Sequence, residues 1–217
     1  MPRHPRRGRQ RKNGGGFLEV HSHRDESAGD TPVLEAQLRE SFGRVTYSHK
    51  TQEKCADILL CWASRIKNAQ IMLAALSSVG IISTLFGSGV VGSATGSLLA
   101  ATLLALNLYT RENDMVATAQ NHRQAASKMW LIRERYLSII TDLKIGNKSI
   151  EIIQQERDGL VSELGAIYSS APSTNSRAYE RARIALKYNE EMTFSVNEID
   201  SMLPIELRKT QNTSSST

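Results

Sequence analysis

The sequence predicts an all-α membrane protein: a two-helix transmembrane hairpin joined to long cytosolic helices packed as an α-helical bundle. Three observations carry that prediction. Not one Asp, Glu, Lys, Arg or His occurs between Asn68 and Thr110, a stretch too long for one crossing of a bilayer core that takes about 20 helical residues at ~1.5 Å each. Gly87-Ser88-Gly89 divides it near the middle with residues that tolerate a tight turn. Outside it, charged residues of both signs alternate with apolar ones at helical spacing, the pattern of helices that bury one face and wet the other. The overall composition, 40% hydrophobic in 217 residues, averages over this segregation and conceals it.

Residues 1–32 are expected to form a disordered basic tail. Arg3, Arg6, Arg7, Arg9, Arg11 and Lys12 stand without a balancing acid and account for the formal charge of +5, the rest of the chain being close to neutral, and few large apolar residues are present to offset the ordering entropy. Beside a membrane such an arm suits anionic lipid headgroups, and no direct nucleic-acid binding is expected of the chain. The basic start runs into Asn13-Gly14-Gly15-Gly16 rather than an apolar segment with a cleavage site, so no signal peptide is expected.

Residues 33–67 read as cytosolic helices leading to the membrane. Leu34, Leu38 and Phe42 recur every fourth position in a short helix that Thr31-Pro32 starts. A longer helix follows from about Tyr47, with Cys55, Ile58, Leu59, Trp62 and Ile66 on one face, and feeds into the first span. Cys55 and Cys61, six positions apart, fit neither a zinc-ligand spacing nor a secretory disulfide framework and read as packing thiols.

Within 68–110 the first span covers about Ala69 to Phe86 and the second about Val90 to Tyr109. Lys50, Lys54, Arg65 and Lys67 precede the pair, Arg111, Arg123 and Lys128 follow it, and its tip is uncharged, so the positive-inside rule places both termini in the cytoplasm. Trp62 and Tyr109 fall near the expected interface, although Trp62 fits a helix core equally well.

Residues 111–205 read as a cytosolic helical extension. Arg111 to Lys144 forms one long helix with Ala126, Met129, Arg133, Tyr136, Ile140 and Leu143 in phase, stopped by Gly146-Asn147. Ser149 caps the next, in which Ile150, Ile153, Leu160, Leu164 and Ile167 share a face. A loop around Pro172 leads to a last helix, about Asn175 to Met202, carrying Tyr179, Ala182, Leu186, Met192 and Ile199, with Pro204 beyond it. Residues 206–217 read as a second disordered tail.

The second span is lined with small residues. Gly89, Ser93, Ser97, Ala101 and Ala105 recur every four positions beside a row of Gly92, Gly96 and Ala100. Helix packing in lipid relies on close approach, which assigns Gly89, Gly92, Ser93, Gly96, Ser97 and Ala100 to contact between the two spans, between copies, or both. Ser77 and Thr84, and Thr95 and Thr102, are seven apart in their spans. In an oligomer they would face a wet lumen, and in a monomer they would bond to the preceding turn of their own helix.

No enzyme is indicated. No two of His4, His21, His23, His49 and His122 form a ligand pair at helical spacing together with a carboxylate, and no phosphate-binding Gly-Lys-Ser/Thr loop or Gly-x-Ser-x-Gly elbow occurs. No catalytic residue, cofactor or metal is therefore expected. His122 beside Arg123 reads as packing or surface, and Arg133 and Arg135 near Tyr136 as a solvated face or an anion contact.

Tyr47-Ser-His-Lys-Thr-Gln-Glu-Lys-Cys-Ala-Asp57 precedes the uncharged stretch and Arg133-Glu-Arg-Tyr136 follows it. Ala171-Pro-Ser-Thr174, Ala178-Tyr-Glu-Arg-Ala182 and Glu198-Ile-Asp-Ser-Met-Leu-Pro204 come next. In this order, from about Leu34 to Arg208, the motifs resemble the SLATT family, the SMODS and SLOG-associating two-transmembrane effectors of bacteria. The resemblance implies an inner-membrane effector of a conflict or antiviral defence system, acting as a homo-oligomeric pore that depolarises the membrane. The implied trigger is a nucleotide second messenger or a genomically linked partner, whether a nucleotidyltransferase, a SLOG protein or a reverse transcriptase. A membrane-anchored helical scaffold or adaptor without pore activity is the alternative, and the resemblance transfers no ligand residues.

Overall fold

A computed structural model describes the backbone of residues 16–85 and 89–209 and the side chains of residues 31–80, 82 and 90–209. Among these residues every regular element is a helix, with no strand: α1 (Gly16–Leu85), α2 (Gly89–Glu112), α3 (Met115–Ile145), α4 (Ile150–Ser170), α5 (Ser176–Lys187) and α6 (Val196–Met202), then a 3-10 turn at Ile205–Leu207.

α1 is one helix of 70 residues, not the two pieces that the spacing around Phe42 and Tyr47 predicts. No break occurs there because Val45 is fully buried and Thr46 Oγ1 donates to Phe42 O at 2.8 Å, which keeps the helix in phase with its core face. The helical backbone also begins at Gly16 rather than near Val33 and passes through Pro32, which lacks the N–H for one bond of the ladder. Residues 1–15 of the expected basic tail, residues 210–217 of the expected C-terminal tail and Gly87-Ser88 of the expected turn lie outside the described residues.

Two further boundaries differ from the sequence reading. The helix expected to run unbroken from Arg111 is interrupted, because Asp114 caps α3 by accepting from Ala117 N at 2.8 Å. The last helix is split: α5 ends at Lys187, and α6 restarts where Ser195 and Glu198 form a reciprocal capping box. Between them residues 188–195 form an irregular strap. Gly146, at φ 74°, ends α3 in the left-handed conformation that glycine adopts without strain.

α2 and α3 together run back along α1, antiparallel to it. Lys144 meets Glu35, His122 meets Gln52, Asn107 meets Gln70 and Gly96 meets Gly80, in one continuous register. Along the charged half of α1, Leu34, Leu38 and Val45 pack with Met129, Ile132, Tyr136 and Ile139 of α3 and with Ile153, Leu160 and Ile167 of α4. Each such side chain contributes roughly 1.5–3 kcal/mol by leaving water. Cys55, Ile58 and Ala178 form a second cluster where α5 docks on α1.

Above this core the character changes. Among the described residues one helical stretch, within Val90–Ile145, is long and apolar enough to cross a bilayer, and only 6% of its apolar window is buried. The charges of α3 place that window in α2. The core helix of a soluble domain would be mostly covered, whereas Val90, Val91, Leu98, Leu104 and Leu108 stand exposed.

Candidate functional site

α1 and α2 meet at a crossing built from glycine. A Cβ placed on Gly80 would lie 3.0 Å from Gly96 Cα and 3.4 Å from Gly92 O, both backbone atoms, so any side chain at position 80 crowds this crossing. Gly96 is buried and Gly92 half-buried, followed down α2 by half-buried Leu99, Leu103, Leu106 and Thr110, all on the face toward α1. At the charged end of the pair, Gln70 Nε2 donates to Asn107 Oδ1 at 2.9 Å and to Thr110 Oγ1 at 3.3 Å. This clasp fixes the register where the apolar stretch meets the charged helices.

The small residues of α2 thus divide between two faces. Gly92 and Gly96 are used against α1, while Ser93, Ser97 and Ala100 point away from it and are exposed. Gly89 opens α2, but its surroundings lie outside the described residues. The hydroxyl residues divide in the same way. Ser77 is buried on α1 with its Oγ donating to Leu73 O, whereas Thr95 and Thr102 are exposed and donate to Val91 O and Leu98 O. Thr84 lies outside the described side chains. Ser77 and Thr95 therefore do not share a surface within one chain, a distinction that seven-residue spacing alone does not reveal.

Below the apolar pair, α1 and α3 are joined by buried polar groups. The Pro172 carbonyl accepts from Gln52 Nε2 at 3.1 Å, which turns Gln52 Oε1 toward His122. That oxygen only accepts, so His122 Nδ1–H donates. His49 Nδ1–H likewise donates to Ala126 O at 2.9 Å, and its Nε2 stands 3.6 Å from Glu53. Burial holds the His122 imidazole below its ordinary pKa of 6.5, in the neutral form. A lowered folded-state pKa makes this contribution complete above the unfolded value and lost as pH falls through the folded one. Thermal stability of the full-length protein in detergent is therefore expected to fall as pH drops below about 6.5, with His122→Gln showing a flatter decline. Parallel curves for the two proteins would contradict this.

Beside His49 lies a cleft of about 630 Å³ between α1, α3 and the strap. Lys50 Nζ is 2.8 Å from Glu53 and 2.9 Å from Glu191 of the strap, and Lys54 Nζ is 3.1 Å from Glu191. Hydrogen bonds from Lys50 and Lys54 outweigh partial burial and hold the Glu191 carboxyl at about 2. Arg123 pairs with Asp57 at 3.9 Å, and Trp130 of the cleft wall is half exposed. The cleft is not legible in the sequence because the spacing places the strap inside a helix. The signal available was Ser195-x-x-Glu198, a helix start inside the expected helix.

Trp62 is exposed with Arg65 stacked over its ring at 5.8 Å, so it does not belong to the helix core, and Tyr109 is exposed as well. Arg133 lies over the Phe42 ring at 5.8 Å, and Arg135 pairs with Glu163. Among the described residues no three His, Cys, Asp or Glu side chains converge to hold a metal ion.

The model of the SMODS and SLOG-associating 2TM effector domain family 4 matches residues 34–198. No curated protein and no solved structure matches significantly.

Proposed function

The chain belongs to the SMODS and SLOG-associating 2TM effector domain family 4, and from that premise we propose that it is a bacterial inner-membrane effector of a defence system, working as an oligomeric pore. The end of α1 and α2 as far as about Tyr109 form its transmembrane hairpin, with both termini in the cytoplasm. The observation that carries the reading is the two-faced surface of α2: the glycine face is spent on α1, and a second small-residue face, Ser93, Ser97 and Ala100, stands unused and exposed.

Helices in lipid have no hydrophobic drive to associate and depend on close packing, which that second face offers to another copy. Thr95 and Thr102 are also exposed, and their hydroxyls retain acceptor capacity toward water in a lumen shared by several hairpins. Ser77 belongs instead to the seam between α1 and α2. The trigger is a nucleotide signal or a genomically linked nucleotidyltransferase, SLOG or reverse-transcriptase partner, acting on the cytosolic helices. Loss of membrane potential is the output.

The test is to express the protein with its genomic neighbours, activate the system, and follow membrane potential with a dye. Wild type is expected to depolarise. Ser97→Leu, which blocks the outward face and leaves the glycine seam intact, is expected to insert normally and to reduce depolarisation about tenfold, a loss of roughly 1.4 kcal/mol in assembly. Unchanged potential in the activated wild type would favour the alternative, a membrane-anchored scaffold or adaptor without a pore.

A further inference from the structure

Most of the charged groups around the cleft beside His49 are already paired, and one of those pairs is unusual. The Glu191 carboxylate sits on two ammonium groups, Lys50 at 2.9 Å and Lys54 at 3.1 Å, both from α1 and both largely buried. Two lysines one helical turn apart, aimed at one carboxylate from another segment, constitute an anion seat that the chain fills with its own side chain. We infer that this cleft binds a small phosphorylated aromatic molecule, whose phosphate replaces the Glu191 carboxylate on Lys50 and Lys54 while its ring lies against Trp130.

Charge, size, position and backbone all favour this ligand. With the strap in place, Lys50, Lys54 and Arg123 are balanced by Glu53, Asp57 and Glu191. Without Glu191 one positive charge is left over, and a phosphate brings more negative charge than the carboxylate it displaces. The cleft, about 630 Å³, falls within the range of small-molecule sites, and the half-exposed Trp130 gives it a planar apolar wall. Lys50 precedes Asn68 by 18 residues, about 27 Å along the helix, so a phosphate reaching it comes from solution rather than from a lipid headgroup.

The strap is suited to release. Glu190 occupies φ 50°, a left-handed conformation that side-chain-bearing residues rarely adopt. The strap is held by the Glu191 ion pairs and by Met192, which lines both this cleft and the apolar hollow beside Phe42 and Arg133. Displacing Glu191 frees the strap, and with it the link from α5 to α6, from the helix that continues into the membrane. This inference rests on the reading of the protein as a triggered effector and locates the trigger.

The experiment uses full-length protein in detergent, with inorganic pyrophosphate and adenosine diphosphate as probes, calorimetry for affinity and tryptophan fluorescence for the ring. Glu191→Gln removes the competing charge and is expected to bind pyrophosphate about tenfold more tightly than wild type. Adding Lys54→Gln is expected to abolish that gain while leaving helicity by circular dichroism unchanged. Adenosine diphosphate, and not pyrophosphate, is expected to quench fluorescence in a Trp130-dependent manner, with Trp130→Phe as the control. Equal pyrophosphate affinity in wild type and Glu191→Gln, or a gain that survives Lys54→Gln, would overturn the site, and absent quenching would overturn its aromatic half. Because binding is read on purified protein, a failed depolarisation assay leaves this site standing, and failed binding leaves the pore standing.

Discussion

Gly80→Leu is expected to separate α1 from α2 and to abolish depolarisation in activated cells. The three nearest atoms to a new Cβ, Gly96 Cα, Gly92 O and Gly96 N, are all backbone and lie at 3.0–3.4 Å. Backbone cannot swing aside as the tip of a flexible side chain can, so a leucine there forces the helices apart. Overpacking of this kind costs about 3 kcal/mol, and in lipid no hydrophobic gain compensates for lost contact. The cost is read from unfolding of the detergent-solubilised protein, and the separation from loss of disulfide cross-linking between cysteines introduced on the facing sides of α1 and α2. Gly80→Ala, which adds the Cβ alone, is expected to show a smaller effect of the same sign. A fully active, cross-linkable Gly80→Leu protein would remove the glycine crossing from the account.

The second large effect lies in the charged half. Tyr136 is the largest fully buried side chain, 1% exposed, packed at the meeting of α1, α3 and α4. Tyr136→Ala is expected to destabilise the protein by about 3–5 kcal/mol through lost burial and the cavity left behind. Tyr136→Phe, which loses only the hydroxyl, is expected to cost about 1 kcal/mol. Urea unfolding of the full-length protein in detergent, followed by tryptophan fluorescence, separates the two. Equal midpoints for wild type and Tyr136→Ala would mean that these helices do not fold around a common core.

Much of the helical architecture is legible in the sequence because burial there follows simple periodicity. Leu34 and Leu38, Met129 and Tyr136, and Ile153, Leu160 and Ile167 are buried on the faces that their spacing predicts. Element boundaries are less legible where a polar residue has two roles. Asn113-Asp114 reads as one more polar turn until Asp114 is seen capping α3, and Ser195 reads as mid-helix until Glu198 closes its capping box. The faces of α2 are less legible still. Rows at i, i+4 are adjacent on a helix, and only the position of Gly80 distinguishes the glycine row from the serine row.

The polar groups of the lower half escape single-sequence reasoning for another reason. His49 and Ala126 are separated in sequence by 77 residues and Gln52 and His122 by 70, and each pair meets only because α3 returns along α1 in register. Lys54 and Glu191 are separated in sequence by 137 residues and meet only because the chain stops being helical between α5 and α6. Charge pairs across such separations leave no periodic trace.

The central claim is that the apolar end of α1 and α2 crosses the membrane and returns, and the chain's own cysteines allow a direct measurement. Cys61 is exposed beside the charged end of the helix pair, while Cys55 is 2% exposed and burial pushes its thiol pKa up, so it stays unreactive. A membrane-impermeant maleimide applied to intact spheroplasts is expected to label a Ser88→Cys, Cys61→Ser protein and to spare the wild type, whose Cys61 reacts only after permeabilisation. Labelling of wild-type Cys61 from outside, or recovery of the full-length protein in the soluble fraction without detergent, would contradict it.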